Sequence, residues 1–172
     1  MIKAIVYTSN AGSTAEYARL LGKKLSLPCY DMKKAKGNLK SMDEIIYFGW
    51  ILASEIKGYK EAEKLYKVCA ACAVGMGGTG TQIKEVRAKN KLPDEVPVFT
   101  LQGQFDLKKL SGMYKVMMGI MVKTAGKALS KKTDRTSEED DMLEMMLHGG
   151  SHVCLENLDA VIKWYDSRKQ DM

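Results

Sequence analysis

Apolar residues crowd positions 2–8 (Ile-Lys-Ala-Ile-Val-Tyr-Thr) without the strict alternation of a half-exposed strand. Such a run predicts a strand covered on both faces. The turn cluster Ser9-Asn10-Ala11-Gly12-Ser13 ends it, and from Thr14 the spacing changes. Ala15, Ala18, Leu21 and Leu25, joined by Tyr17 and Leu20, share one broad face of a helix over 14–25. Short strands at 28–31, 43–50, 67–74 and 96–101 follow, separated by a basic loop at 33–41 and helices at 54–66 and 81–91. Strand alternating with helix predicts an α/β fold, a doubly wound five-stranded parallel sheet with helices on both faces. Ligands of such sheets bind beyond the carboxyl ends of the strands, so the loops after strands one, three and four carry the chemistry.

Beyond Gln102 the pattern changes. A Met-rich helix over 112–129, an acidic helix start at 137–147 and a final helix over 158–168 are predicted. With 172 residues, 45% of them apolar, and no repeat or linker, the chain reads as one domain over 1–172. The net charge of +6 is local: residues 104–135 hold eight Lys/Arg and two Asp, and the remainder is neutral. In that segment Met113, Val116, Met117, Ile120, Met121 and Ala125 form an apolar stripe beside Lys115, Lys123 and Lys127. The stripe either packs on the sheet with solvated lysines, or serves as a docking face. An acidic partner, an anionic membrane surface met through Lys108 to Arg135, or a carboxylate-bearing substrate would fit it. No aromatic-interleaved basic strand or finger motif accompanies the charge, so nucleic acid is not expected. No run approaches 18 apolar residues, and no leader precedes the first strand, which makes a cytoplasmic protein the expectation.

Cys29, Cys69, Cys72 and Cys154 are too scattered for a disulfide framework and read as buried thiols. Cys69 and Cys72 spell C-x-x-C, but inside a strand, where positions three apart face opposite sides, and without the helix start that redox pairs use. His148 and His152 lack a Cys or carboxylate companion and read as solvated loop residues.

The turn Ser9-Asn10-Ala11-Gly12-Ser13-Thr14, between a buried strand and a helix, is an anion site in outline. Helix-start amides lack partners, and the dipole favours negative charge. Ser9, Ser13 and Thr14 add hydroxyls, and Gly12 lets backbone approach. A helix simply capped by Ser13 is the plainer alternative. No Lys ends the loop, so it is not a nucleoside-triphosphate loop, and a monophosphate held by neutral donors fits better. A second glycine loop, Gly75-Met76-Gly77-Gly78-Thr79-Gly80, spells Gly-x-Gly-x-x-Gly between a strand and a helix. A nicotinamide-nucleotide domain is the rival reading, weakened by its place after the fourth strand and by Thr100 and Leu101 where an acidic residue is needed.

Taken together, the segment Tyr7–Thr14 resembles the phosphate loop of flavodoxins. Gly49-Trp50-Ile51-Leu52-Ala53-Ser54 is similar to their flavin-flanking loop. Gly103-Gln104-Phe105-Asp106, the stretch from Met113 to Met121, and the segment from Ser137 to Gly150 resemble the branch of flavodoxin-domain proteins that includes the short protoporphyrinogen oxidases. The resemblance implies a strand order of 2-1-3-4-5, with a basic helical segment after strand five. It implies FMN as cofactor, its phosphate on Ser9, Asn10, Ala11, Gly12, Ser13 and Thr14. Its ring would lie against Trp50, Ile51, Leu52 and Ala53 and against the loop of Gly75, Gly77, Gly78 and Gly80, unless that loop is a flexible turn without contacts. Leu52 stands where the family places a stacking aromatic; Trp50 either substitutes for it or packs in the core. The implied activity is electron transfer with a redox partner protein. Alternatives are a quinone-dependent protoporphyrinogen dehydrogenase acting on small molecules and a flavin-free interaction domain. No general acid or base is visible in these loops.

Overall fold

The computed structural model describes residues 1–105 and 112–170. Asp106, Lys108 and Lys109 lie outside the described residues. Strand β1 (Ala4–Thr8) leads to helix α1 (Ser13–Leu25), then β2 (Cys29–Asp31) and a single turn α2 (Met32–Ala35). β3 (Glu44–Leu52) and the two-residue β4 (Glu55–Ile56) precede α3 (Tyr59–Leu65), β5 (Lys67–Gly75), α4 (Ile83–Asn90) and β6 (Val98–Gln102). The strands stand in the order β2-β1-β3-β5-β6, parallel throughout, with β4 folded back antiparallel on β3. Counting only the five parallel strands, this is the expected 2-1-3-4-5, a flavodoxin-like fold.

Both faces of the sheet are apolar because both are covered. Val6, Tyr47, Ala71 and Val98 meet Tyr59, Ala62 and Val86 from α3 and α4. On the opposite face Ile5, Ile46, Phe48 and Leu101 meet Tyr17, Ala18 and Leu21 of α1. Leu158, Val161 and Tyr165, from the turn before α8 (Asp159–Gln170) and from α8 itself, complete that second layer. The helical stripe Ala15, Ala18, Leu21 is thus buried as its spacing predicts.

Two local expectations differ. Where a helix over 54–66 was predicted, the chain first makes the β3–β4 hairpin, and α3 begins only at Tyr59. The basic stretch at 33–41 contains the turn α2, whose start is capped by the Asp31 carboxylate accepting from the Lys33 amide at 3.0 Å. Cys69 and Cys72 also depart from strand parity: both point into the α1 side of the sheet. The register slips between Ile45 and Ile46, pairing them with Val68 and Ala70, so Cys69 is an extra residue in β5. A bulge resets the alternation and brings positions three apart to one face. Both thiols are free, and burial raises their pKa values.

Three cations converge on Glu44. Its carboxylate lies 2.9 Å from the Met1 ammonium, 2.9 Å from Lys67 Nζ and 3.3 Å from Arg168. The ammonium first, and Lys67 second, hold its pKa down at about 2. A depressed pKa contributes stability above the unfolded-state value near 4.3 that is lost as pH falls toward the folded value. Glu44→Gln is therefore expected to reduce stability at neutral pH by about 1 kcal/mol, since the cationic partners are solvated. In urea titrations the difference from the parent protein should vanish between about pH 4 and pH 2.

Beyond β6, the strand β7 (Gln104–Phe105) pairs with β8 (Gly150–Ser151). Between them lie α5 (Gly112–Met121), a π-helical turn at Val122–Gly126, α6 (Lys127–Lys131) and α7 (Ser137–His148). The predicted helix over 112–129 is thus interrupted by a wide turn. α7 starts on a capping box: Thr136 accepts from the Glu139 amide, and Glu139 accepts from the Thr136 amide. Tyr17 anchors this excursion to α1. Its hydroxyl donates to the Gln102 carbonyl and accepts from Asn157 Nδ2 at 2.7 Å.

Candidate functional site

The carboxyl ends of β1, β3 and β5 open into one cleft at the edge of the sheet. Asn10, Ala11, Ser13 and Thr14 form its floor, Trp50, Ile51 and Leu52 one wall, and Val74, Gly75 and Met76 the other. Gln104 and Phe105 of β7, with Met117 and Met118 of α5, make its roof.

In the floor, α1 begins at Ser13 with Gly12 as its cap residue, and no side chain caps it. The Ser13 cap considered from sequence does not form, because Gly12, at φ 104°, occupies that position. Few L residues adopt that φ. The first amides of α1 therefore lack both an intrahelical acceptor and a side-chain acceptor. Ser13 and Thr14 are buried. Ser9 Oγ is buried without a hydrogen-bond partner. Ser9 turns toward a polar hollow with Thr8, Asp31, Lys33, Lys36, Gly58 and Glu61, where Lys36 and Glu61 pair at 2.9 Å. In the cleft itself the free amides at the start of α1 stand with the buried Ser13 and Thr14, and an oxyanion is the acceptor that suits a helix start. A Gln104 side-chain amide donates to the Ala11 carbonyl and fastens this turn to β7.

The Trp50–Leu52 wall is the rising arm of the β3–β4 hairpin, with Ile51 opposite Ile56 and Leu52 opposite Glu55. Its two-residue turn puts Ala53 at φ 48° and Ser54 at φ 62°. Two left-handed residues make the turn that matches strand twist, normally supplied by Asn-Gly. Asn90 of α4 holds it from below: its Oδ1 accepts from the Ile56 amide at 2.8 Å, and its Nδ2 donates to the Ser54 carbonyl at 2.8 Å and the Val86 carbonyl at 2.7 Å. Ser54→Gly should relieve the left-handed strain, net of glycine's entropy, and stabilise the protein by about 0.5–1 kcal/mol in thermal unfolding.

The expected ring residues divide among three places. Trp50, Ile51, Leu52 and Gly75 line the cleft. Ala53 and Gly77 line an adjoining hollow with Met76, Met118, Met121, Met142 and Met146. Gly78 and Gly80 line neither; the Gly78 carbonyl accepts from Thr81 Oγ1 at 2.7 Å, and the Gly80 amide donates to the Thr100 carbonyl at 3.0 Å. Further ties, Gln102 amide to Thr79 Oγ1 and Thr100 Oγ1 to the Thr81 carbonyl, strap this loop to β6. It is a fastened turn rather than a free one.

Sequence reasoning did not assign the roof. Gln104, Phe105, Met117 and Met118 lie in segments already noted for their resemblance, which was the available signal. The free volume beneath them is about 90 Å³. Ligand pockets run from roughly 300 to 1,000 Å³, so a ring-sized ligand must turn the roof side chains aside. Methionine, unbranched and soft, does so readily.

Among the described residues no helix is long and apolar enough to cross a membrane, and no three or more His, Cys, Asp or Glu side chains gather as a metal site. His148 ends α7 and His152 follows β8; both are exposed. No curated protein and no solved structure matches the chain. The sequence profile of the flavodoxin domain does match, over residues 4–132, which run from β1 to the end of α6. With that match and the sheet order it accompanies, the chain belongs to the flavodoxin domain family.

Proposed function

We propose that the protein binds flavin mononucleotide in this cleft and works as an electron-transfer protein. The observation that carries the reading is the uncapped start of α1, with Ser13 and Thr14 buried in the floor of an apolar slot. Amides of α1 and the hydroxyls of Ser9, Ser13 and Thr14 would hold the phosphate without a cation in the loop. Trp50, Ile51 and Leu52 on one side, and Gly75 and Met76 on the other, would flank the ring and exclude water from it. The flavin supplies the ability to take and release electrons; the protein supplies orientation and the polarity around it.

A second reading rests on the hollow beside the slot. Met76, Met118, Met121, Met142 and Met146 form an adaptable apolar surface that suits a small apolar reactant. An enzyme resembling the short protoporphyrinogen oxidases, handing electrons to a quinone, would use it. Turnover of protoporphyrinogen with a quinone by the flavin-loaded protein separates the two readings.

Titration of the apo-protein with FMN tests the first. One equivalent should bind with quenched flavin fluorescence, and more tightly than riboflavin. A folded protein that leaves the fluorescence of added FMN unchanged would defeat the proposal.

A further inference from the structure

Helix α5 is apolar on two faces. Met118, with Val122 just beyond the helix, packs inward on Phe105 and Met145. The outward positions Met113, Val116 and Ile120 make a second stripe, with exposures of 79%, 65% and 59%, and Met117, at 38%, stands on its edge above the cleft. Large apolar side chains this exposed are few among the described residues, and half of the eight fall in this one helix. A helix apolar all round is ordinarily buried.

The charge pattern says what would cover this stripe. Residues 112–131 contain Lys115, Lys123, Lys127 and Lys131 and no Asp or Glu. Those four lysines are exposed, and none forms an ion pair among the described residues. The next cations differ: Lys132 pairs with Glu139 at 2.8 Å, and Arg135 pairs with Asp140. Lys123 lies in the wide turn and Lys127 starts α6, so exposed cations follow the apolar stripe along the chain. From these features we propose that the outer face of α5, with the turns to Lys131, docks in the plane of an anionic lipid surface.

Other occupants fit less well. A second copy on this face would set lysine against lysine in a self-complementary contact. A protein partner would suit the methionines and Tyr114 in the sequence of the segment, but Lys is depleted at protein interfaces, and here four exposed lysines edge the stripe with no Asp or Glu among them. At a lipid surface, aliphatic side chains enter the acyl boundary while lysine stems lie along it with their heads among anionic headgroups. The proposal does not depend on what fills the cleft.

Sedimentation with phosphatidylcholine vesicles, with and without phosphatidylglycerol, tests it. The protein should pellet with the phosphatidylglycerol vesicles at low salt, pellet less as salt rises, and stay in solution with phosphatidylcholine alone. Lys123→Gln with Lys127→Gln should lower the partition coefficient by about 30-fold, at roughly 1 kcal/mol per lysine. Val116→Ser with Ile120→Ser should lower it at least about tenfold. Both pairs of positions are solvent-exposed, so melting temperatures should stay at the parent value. Failure to pellet with anionic vesicles at low salt, or binding that ignores either pair of substitutions, overturns the proposal. A dimer in light scattering that Val116→Ser with Ile120→Ser dissolves, without vesicle binding, overturns it in favour of a second copy.

Discussion

Combining Ser13→Ala with Thr14→Val is expected to weaken FMN binding by about 100-fold while leaving riboflavin within about threefold. The two hydroxyls stand in the first turn of α1, buried and lining the cleft. Each would donate to the phosphate, and a hydrogen bond to a charged group contributes roughly 1.5–3 kcal/mol. Taking the lower figure for each gives about two decades. Thr14→Val keeps volume and branching, so packing against the sheet should survive. Riboflavin has the same ring and side chain without the phosphate, so it reports whether the slot remains intact. Isothermal titration with both ligands reads the two numbers directly. Equal losses for FMN and riboflavin would mean that the phosphate is held elsewhere. The Ser9 hydroxyl, turned toward the neighbouring polar hollow, should matter less than the pair.

Asn90→Leu is expected to destabilise the protein by about 3 kcal/mol, read as a lower urea midpoint with unchanged slope. Asn90 is 3% exposed and makes three hydrogen bonds of 2.7–2.8 Å. Leucine fills a similar volume but leaves the buried Ile56 amide and the half-buried Ser54 carbonyl without this partner. Each orphaned group costs about 1–3 kcal/mol. The effect reaches the cleft, because the strained Ala53–Ser54 turn persists only while its surroundings hold it. Trp50, Ile51 and Leu52 ride on that hairpin, so riboflavin affinity should fall with FMN affinity. That common fall contrasts with the selective loss expected at Ser13 and Thr14. A stability change under about 1 kcal/mol would show that the hairpin stands without its clamp.

The parts of the site that were legible in the sequence were those whose signal is local. The Ser9–Thr14 turn was legible because a buried strand, a Ser- and Gly-bearing turn and an amphipathic helix follow one another within 24 residues. The Trp50–Leu52 wall was found by resemblance, but its geometry was not. A strand of two residues, Glu55–Ile56, has no period to detect, and the stretch after it resembles a helix throughout. Gly49 carries the trace of that fold-back: a Cβ there would collide with Ile56 Cγ2 and meet the Lys57 carbonyl at 2.7 Å. Met117 was visible in the helical stripe and Met118 only as part of the Met-rich stretch, yet such a helix serves a core, a roof or a docking face equally well by pattern.

Chain order and apolar patterning alone determined the alternating α/β plan, its five parallel strands, the buried face of α1 and the place of the turn before it. Each follows from steric and solvation preferences acting over a few residues. Tertiary structure alone decided the bulge that turns Cys69 and Cys72 to one side, the Asn90 clamp 34 residues from Ile56, and the Tyr17 anchor 140 residues from Asn157. It also brought Gln104 across to Ala11, 93 residues away, to close the roof. Such contacts join segments whose separation leaves no periodicity behind; they exist because buried polar groups must find partners once the packed layers have set the distances.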